Sequence, residues 1–504
     1  MLGRLSSHIG PLNKIGHIKT SLGGDSFIST WDTTQAGSAS DTVVLPLESG
    51  GVYSGTIDWG DGNTSSLSYA NRTHVYASSG TYTITISGTI EGFQFNNGGD
   101  KEKIIDISNW GALNLTNGSV FYGCVNLDIS ATDAPTITTT TFNSMFRDCQ
   151  SIVNADLNSW DVSAVTDMTY CFGRIGGGND TCQINPNISD WDVSSVTNMS
   201  YMFSKNITFN RPLNSWDVSS VTNMFEMFSG ADLFNQPLDN WNTSSVTNMG
   251  RMFGGYSLRT NTFNQDINAW DVSNVTNFVE MFSYGDFAGD IRDWNLTSAS
   301  STNLMFAYNN GTPNLSNWNT STITDMEEMF RNSNFNGDIS GWDTSSVTNM
   351  VRMFQVATQF NQDISSWDVS SVTNMISMFS GAGSFNQPIG SWTTTSLVRI
   401  DRMFRRLSNV VCVFNQDISN WDVTGITNAS EFMRLSTSLS TTNYDPVLVA
   451  WEAQLQTAYP GGIGSPNVNI HFSNSQYTLG SAAETARTSL ISTFGWSITD
   501  GGGI

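Results

Sequence analysis

Apolar residues return along most of this chain at a fixed spacing, and one copy shows the pattern whole. From Ile364 the apolar positions run Ile364, Trp367, Val369, Val372, Met375, Met378, Phe379, Phe385 and Ile389, with Ser, Thr, Asn, Asp and Gln filling most of the gaps. Trp367 and Val369 alternate with polar neighbours. That predicts a short strand burying both on one face and turning Ser366, Asp368 and Ser370 outward. Val372, Met375, Met378 and Phe379 fall at i, i+3, i+6 and i+7, which predicts a short helical turn burying a second stripe. Ser371 would be its N-cap and Gly381 its stop. On this spacing the Met-Phe pairs read as core, not as a binding stripe.

The pattern repeats about every 25 residues from near residue 107 to near residue 434. Its tryptophans are Trp110, Trp160, Trp191, Trp216, Trp241, Trp270, Trp294, Trp318, Trp342, Trp367, Trp392 and Trp421, and Ala134 fills the slot in one further unit. A period in this range predicts stacked supersecondary units sharing a core that no unit could bury alone. At ~4.8 Å per strand, thirteen units would form a parallel sheet roughly 60 Å long. The longer spacings all arise after the Met-Phe position, so the loops at 173–186, 254–262 and 405–413 should emerge on one side. Loops on a rigid scaffold are a first place to seek recognition. Arg251, Arg259, Arg405 and Arg406 give that side positive charge.

Residues 1–23 are short and mildly basic. They show no apolar stretch of signal-peptide length, and the expectation is an arm or attachment segment. Residues 24–103 read as all-β, with turn signals at Gly60-Asp61-Gly62 and Ser79-Gly80 and an alternating strand from Thr81. The W-G-D-G at Trp59, the H-x-Y at His74 and the G-x-Y at Gly80 resemble the polycystic-kidney-disease (PKD) domain. That resemblance implies an immunoglobulin-like β-sandwich acting as a spacer or attachment module. Residues 435–504 leave the repeat. Helices are expected over 450–458 and 481–494 and a strand over 467–473, together an α/β cap on the last repeat face.

The motif WDVSSVTNMxxMF…FNQDISxW resembles the repeat of BspA-like bacterial surface proteins, a divergent leucine-rich-repeat-type family, and covers residues 104–434. The resemblance implies a fold that is mostly β with short helical turns. It would be a leucine-rich-repeat-like solenoid of about thirteen units, preceded by the PKD-like sandwich and closed by the small α/β cap. It also implies association with cell surfaces and adhesion.

Acidic residues outnumber basic ones 44 to 21, a net charge of −23, which argues against a nucleic-acid or anionic-lipid partner. No stretch approaches eighteen consecutive apolar residues, so no membrane insertion is expected. The five cysteines form no C-x-x-C pair. Cys171 reads as a core residue, a bridge to Cys182 is one alternative, and Cys124 and Cys149 fall at matching positions of adjacent units.

Asp192, Asp217, Asp343 and Asp368 follow their tryptophans and would stack along one exposed face. They would bind calcium, or hydrogen-bond their own turns. Asp58 and Asp61 around the W-G-D-G turn pose the same choice. No cofactor other than calcium is suggested. The four histidines are scattered, and no nucleophile, zinc or phosphate-loop motif occurs, so catalysis is not expected. Rows of Ser, Thr, Asn and Asp suit a glycan or a host surface protein as partner. The function expected is that of a non-enzymatic, surface-exposed interaction protein. It would be a virion decoration or fibre component attached through its N-terminal region. The alternative is a bacterial cell-surface or secreted adhesin, and a glycan-active enzyme stands a distant third.

Overall fold

Alternating apolar and polar residues in the N-terminal part build an antiparallel sheet whose buried face carries Phe27, Trp31, Ile57, Ile84 and Ile86. The strands of this part are β1 (Phe27–Asp32), β2 (Thr42–Val44), β3 (Leu47–Asp58), β4 (Thr64–Ser66), β5 (Thr73–Val75) and β6 (Thr81–Phe93). The structure, a computed structural model, describes residues 25–174, 182–256, 260–407 and 409–504. The expected N-terminal arm and Arg259 lie outside the described residues. β6 pairs antiparallel with β1 and β3, and β2 pairs with β5 in a separate two-stranded sheet. Gly55 and Gly88 face each other where β3 and β6 approach, at φ of 124° and 101°. A Cβ on either would meet backbone within 2.0 Å, so only glycine fits there.

The same sheet continues into the first repeat units. β7 (Ile104–Asn109) pairs antiparallel with β1, and β8 (Leu113–Leu115) pairs parallel with β6. β9 (Asp128–Ile129) then adds to β7 and β10 (Thr136–Ile137) to β8, both parallel. The N-terminal sheet thus supplies hydrogen-bond partners for the open edge of the repeats.

Within the repeats the sequence expectation is corrected twice. The parallel inter-unit bridges do not lie at Trp-x-Val but further on, joining Asn349 to Asn374, Asn374 to Arg399 and Arg399 to Asn428. The reason is local competition for donors. The Ser370 N–H is taken by the Asp368 carboxylate at 2.9 Å, and the Val372 N–H by the Val369 carbonyl at 3.0 Å. The Trp-x-Val segment therefore has few free donors for a ladder, although Trp367 and Val369 are buried as expected.

The second correction concerns the helical turn. Met375, Ser377, Phe379 and Gly381 donate their N–H groups to Arg399, Asp401, Met403 and Arg405 of the following unit at 2.9–3.0 Å. The intervening Met378, Ser380 and Ala382 bond back three residues at 3.0–3.2 Å. Ser377 and Gly381 have φ of 54° and 72°. A helix needs i→i−4 bonds and negative φ throughout. This segment is instead a chain of tight turns whose alternate N–H groups point along the stack. The spacing of Met375, Met378 and Phe379 still buries all three. Ser371 consequently caps no helix, and Gly381 serves a left-handed turn position.

Each unit adds one rung to the core. A phenylalanine column runs from Phe121 to Phe404 with successive ring centroids 5.3–5.9 Å apart and planes within 10° of parallel. Tryptophans form a second column, with Trp342 on Trp367 at 6.2 Å and Trp392 on Trp421 at 6.1 Å. From Trp191 to Trp421 their indole N–H groups reach back to the preceding unit, as from Trp367 to the Ile339 carbonyl at 3.0 Å.

At the C-terminus α1 (Thr441–Ala458) starts well before the expected position. β11 (Asn469–His471) lies inside the expected strand, and α2 (Ala482–Ser492) inside the expected second helix. β12 (Ser497–Thr499) pairs parallel with β11. This segment supplies the groups that another unit would have offered. Trp451 donates to the Ile418 carbonyl at 3.3 Å and Asn443 to the Asn415 carbonyl at 2.9 Å. Ile470 bridges Ala429, and Phe472 packs edge-on against Phe432.

Candidate functional site

Two surfaces of the repeat contain the residues expected to bind. The first is the Trp-Asp-Val row. Asp192, Asp217, Asp343 and Asp368 are each turned into their own backbone. Their carboxylates accept from the N–H groups of Ser194, Ser219, Ser345 and Ser370 at 2.9–3.2 Å. Bonds from the Ser345 and Ser370 hydroxyls, with the same backbone N–H groups, hold Asp343 and Asp368 below the usual carboxylate range. Asn242, Asn295 and Asn319 make the same bond from the same slot. The slot therefore selects an acceptor for a turn rather than a charge. Ser366 donates to the Ser340 carbonyl at 2.9 Å.

Asp58 and Asp61 behave likewise. Asp58 accepts from the Gly60 N–H at 3.0 Å, and Asp61 accepts from the Asn63 N–H at 3.0 Å and lies 2.8 Å from His74 Nε2. Partial burial raises the Asp61 pKa, but the bonds from His74 and Asn63 prevail and lower it to about 2. Among the described residues no group of three or more His, Cys, Asp or Glu side chains is placed to hold a metal.

The second surface is the turn segment after the Asn bridge, and here the structure adds residues that the sequence reading missed. All six tyrosines of the repeats fall on it: Tyr122, Tyr170, Tyr201, Tyr256, Tyr284 and Tyr308. Tyr170 stacks on Tyr201 and Tyr284 on Tyr308, each pair at 4.3 Å. Arg147 lies between Tyr122 and Tyr170, 4.5 and 4.9 Å from their ring centres. The first left-handed slot of the turn carries a charged side chain in several units. At Glu226, Arg251, Glu280, Glu328, Arg352, Arg402 and Glu431 the φ is 52–59°.

Charges alternate along part of this column. Arg251 lies 3.8 Å from Glu226 and 3.4 Å from Glu280, and Arg352 lies 2.7 Å from Glu328. Of the expected arginines, Arg251 is thus engaged between neighbours, while Arg405 and Arg406 sit two units from the cap on this same surface. Lining up the units by slot would have exposed both the tyrosines and the charge alternation.

All five cysteines are buried free thiols. The Cys171–Cys182 bridge is not formed. Cys182 instead donates to the Cys149 carbonyl at 2.9 Å, and Cys149 to the Phe121 carbonyl at 3.2 Å. Burial pushes Cys182 and Cys412 up to about 12.

These features define a mostly β repeat protein with few helices and, among the described residues, no closed barrel. No helix among them is long and apolar enough to cross a membrane. The chain belongs to the family described as "Mycoplasma protein of unknown function, DUF285", the BspA-like repeat family. The family matches at residues 93–176, 140–260, 221–313, 254–334, 307–412 and 410–454. No curated protein and no solved structure matches the chain.

Proposed function

We propose that this chain is a non-enzymatic, surface-exposed interaction protein whose repeats form a leucine-rich-repeat-like solenoid. The observation that carries the reading is the repetition of one inter-unit bonding pattern. Thr348 and Thr373, for example, each donate backbone and hydroxyl groups to the matching threonine carbonyl of the unit before, at 2.9–3.2 Å. Each unit therefore places its slots in register with those of its neighbours, which gives a long and regular surface. That surface suits adhesion to a cell surface or glycan.

Residues 24–103 are read as a PKD-like, immunoglobulin-like spacer. In support, the residues of the resemblance converge: His74 stacks on Trp59 at 4.8 Å, and the Tyr76 hydroxyl donates to the Trp59 carbonyl at 3.0 Å. For the place of display we propose a virion, with residues 1–23 as the attachment arm. The family's association with cell surfaces favours a second reading, a bacterial envelope or secreted adhesin.

Mass spectrometry of purified phage particles from the source culture, with a cell-envelope fraction alongside, separates the two. Peptides of this chain at stoichiometric level in particles support the virion. Peptides confined to the envelope overturn it.

A further inference from the structure

The last two turn segments differ in charge from the rest of this acidic chain. Arg402, Arg405 and Arg434 converge on one carboxylate, that of Glu431. Arg402 Nε lies 2.9 Å and an Arg405 terminal nitrogen 3.1 Å from the same Glu431 oxygen, and Arg434 bonds the other oxygen. Arg406 joins them through its backbone, its N–H donating to the Arg434 carbonyl at 3.1 Å, and has no carboxylate partner among the described residues.

Three guanidiniums thus converge on one carboxylate, with Arg406 in the same turn segment as Arg405. Each carries five donors in a planar fork, and one carboxylate cannot satisfy them. Arg405 Nε is buried with no acceptor at all. The Arg402 and Arg434 side chains remain 49% and 47% exposed, so their unused donors face solvent.

The next position is Leu435, which is 60% exposed at φ of 63°. A leucine held left-handed without being buried gains nothing from packing. The matching slot is left-handed in other units too, at Asp148, Lys205, Tyr284, Tyr308, Asn332 and Val356 with φ of 51–63° and at Gly230 and Gly381, so what sets Leu435 apart is its exposed apolar side chain. Leu435 adds one apolar side chain beside the guanidiniums, too little apolar surface for the core of a protein interface.

We infer that this cluster of Arg402, Arg405, Arg406 and Arg434 beside Leu435 binds an anionic polysaccharide. The guanidinium forks take its carboxylates or sulfates, and Leu435 lies against the apolar face of a sugar ring. The inference rests on the surface-interaction reading above and names the ligand class of that surface.

The test uses the full chain, with immobilised heparin and polygalacturonate as probes, neutral dextran as control and poly-glutamate as the protein-like polyanion. The expected result is binding to at least one of the two polysaccharides, none to dextran, and weakening with added salt. R405A/R406A should lose about tenfold or more in affinity, and the Leu435→Gly variant should weaken the glycan alone. Arg352→Ala, an arginine paired on the same surface, should stay within about twofold.

Circular dichroism of each variant keeps misfolding from counting as loss. No binding to either polysaccharide, or binding that R405A/R406A leaves intact, overturns the inference. So does poly-glutamate binding as tightly with the same arginine dependence, which makes the site one for an acidic protein. If the chain adheres to cells and R405A/R406A adheres equally well, this inference falls while the surface-interaction reading stands.

Discussion

Replacing Phe354 by alanine removes one rung from the middle of the phenylalanine column. The ring is fully buried, with Phe330 at 5.5 Å on one side, Phe379 at 5.6 Å on the other, Phe360 at 3.9 Å and Trp367 at 6.3 Å. The surroundings are poorly placed to collapse into the gap. The N–H groups of Arg352, Phe354 and Val356 are all bonded to the next unit at 2.9 Å, which fixes the backbone on both sides. A Phe→Ala change in a core costs about 3–5 kcal/mol, and a site that cannot relax belongs at the upper end, about 4–5 kcal/mol.

Urea titration followed by tryptophan fluorescence gives the total, and hydrogen exchange locates it. Protection should fall first at Phe330, Phe354 and Phe379 and then in units on either side, because each unit depends on its neighbours. Phe225→Ala is the control. That ring is half-buried on the turn face, edge-on to Tyr201 at 5.3 Å, and should cost less than about 1.5 kcal/mol. Equal costs for the two variants would refute the reasoning that the aligned rings form the structural core.

Four further outcomes are expected. The five buried thiols should resist a thiol-labelling reagent in the native protein and all react after denaturation; labelling of Cys182 or Cys412 at native rates would contradict their burial. Asp368→Asn should be nearly neutral and Asp368→Ala should cost about 1 kcal/mol, by analogy with capping acceptors. Chelator should leave the melting temperature unchanged, and a drop on chelation would favour calcium at the Asp row. Asp61, held down at about 2, contributes stability that is complete above its unfolded pKa of about 4 and is lost as pH falls toward 2. Acid titration of Asp61→Asn beside the parent should show that part of the acid loss missing from the variant.

Much of the core was legible because burial follows periodicity. Trp367, Val369, Val372, Met375, Met378 and Phe379 were all expected inside, and all are. The backbone conformation carrying them was not legible. Spacings of three and four suit a helix and equally suit a run of three-residue turns, and only bonding to the next unit separates the two. The candidate site was half legible. The Asp row was visible with both of its readings open, and the structure adds that each carboxylate accepts from its own turn. The tyrosine and arginine face was hidden because its members differ from unit to unit, and a varying slot leaves no mark in a consensus.

The sequence by itself determined that this chain repeats, which side chains enter the shared core, and that its ends depart from the repeat. Those properties depend on composition and spacing along one dimension. The tertiary structure alone decided where backbone donors go. The N-terminal sheet receives the first units through β7 and β8, and the C-terminal segment offers Trp451, Asn443 and Ile470 in place of a further unit. It also decided that the fully buried Lys103 would find the carbonyls of Ser38, Ala39 and Thr42 at 2.8–3.0 Å. Each of these pairs residues that spacing does not relate. Their physical basis is the cost of leaving a buried donor or an open edge unsatisfied, which the chain can meet only when distant segments come together.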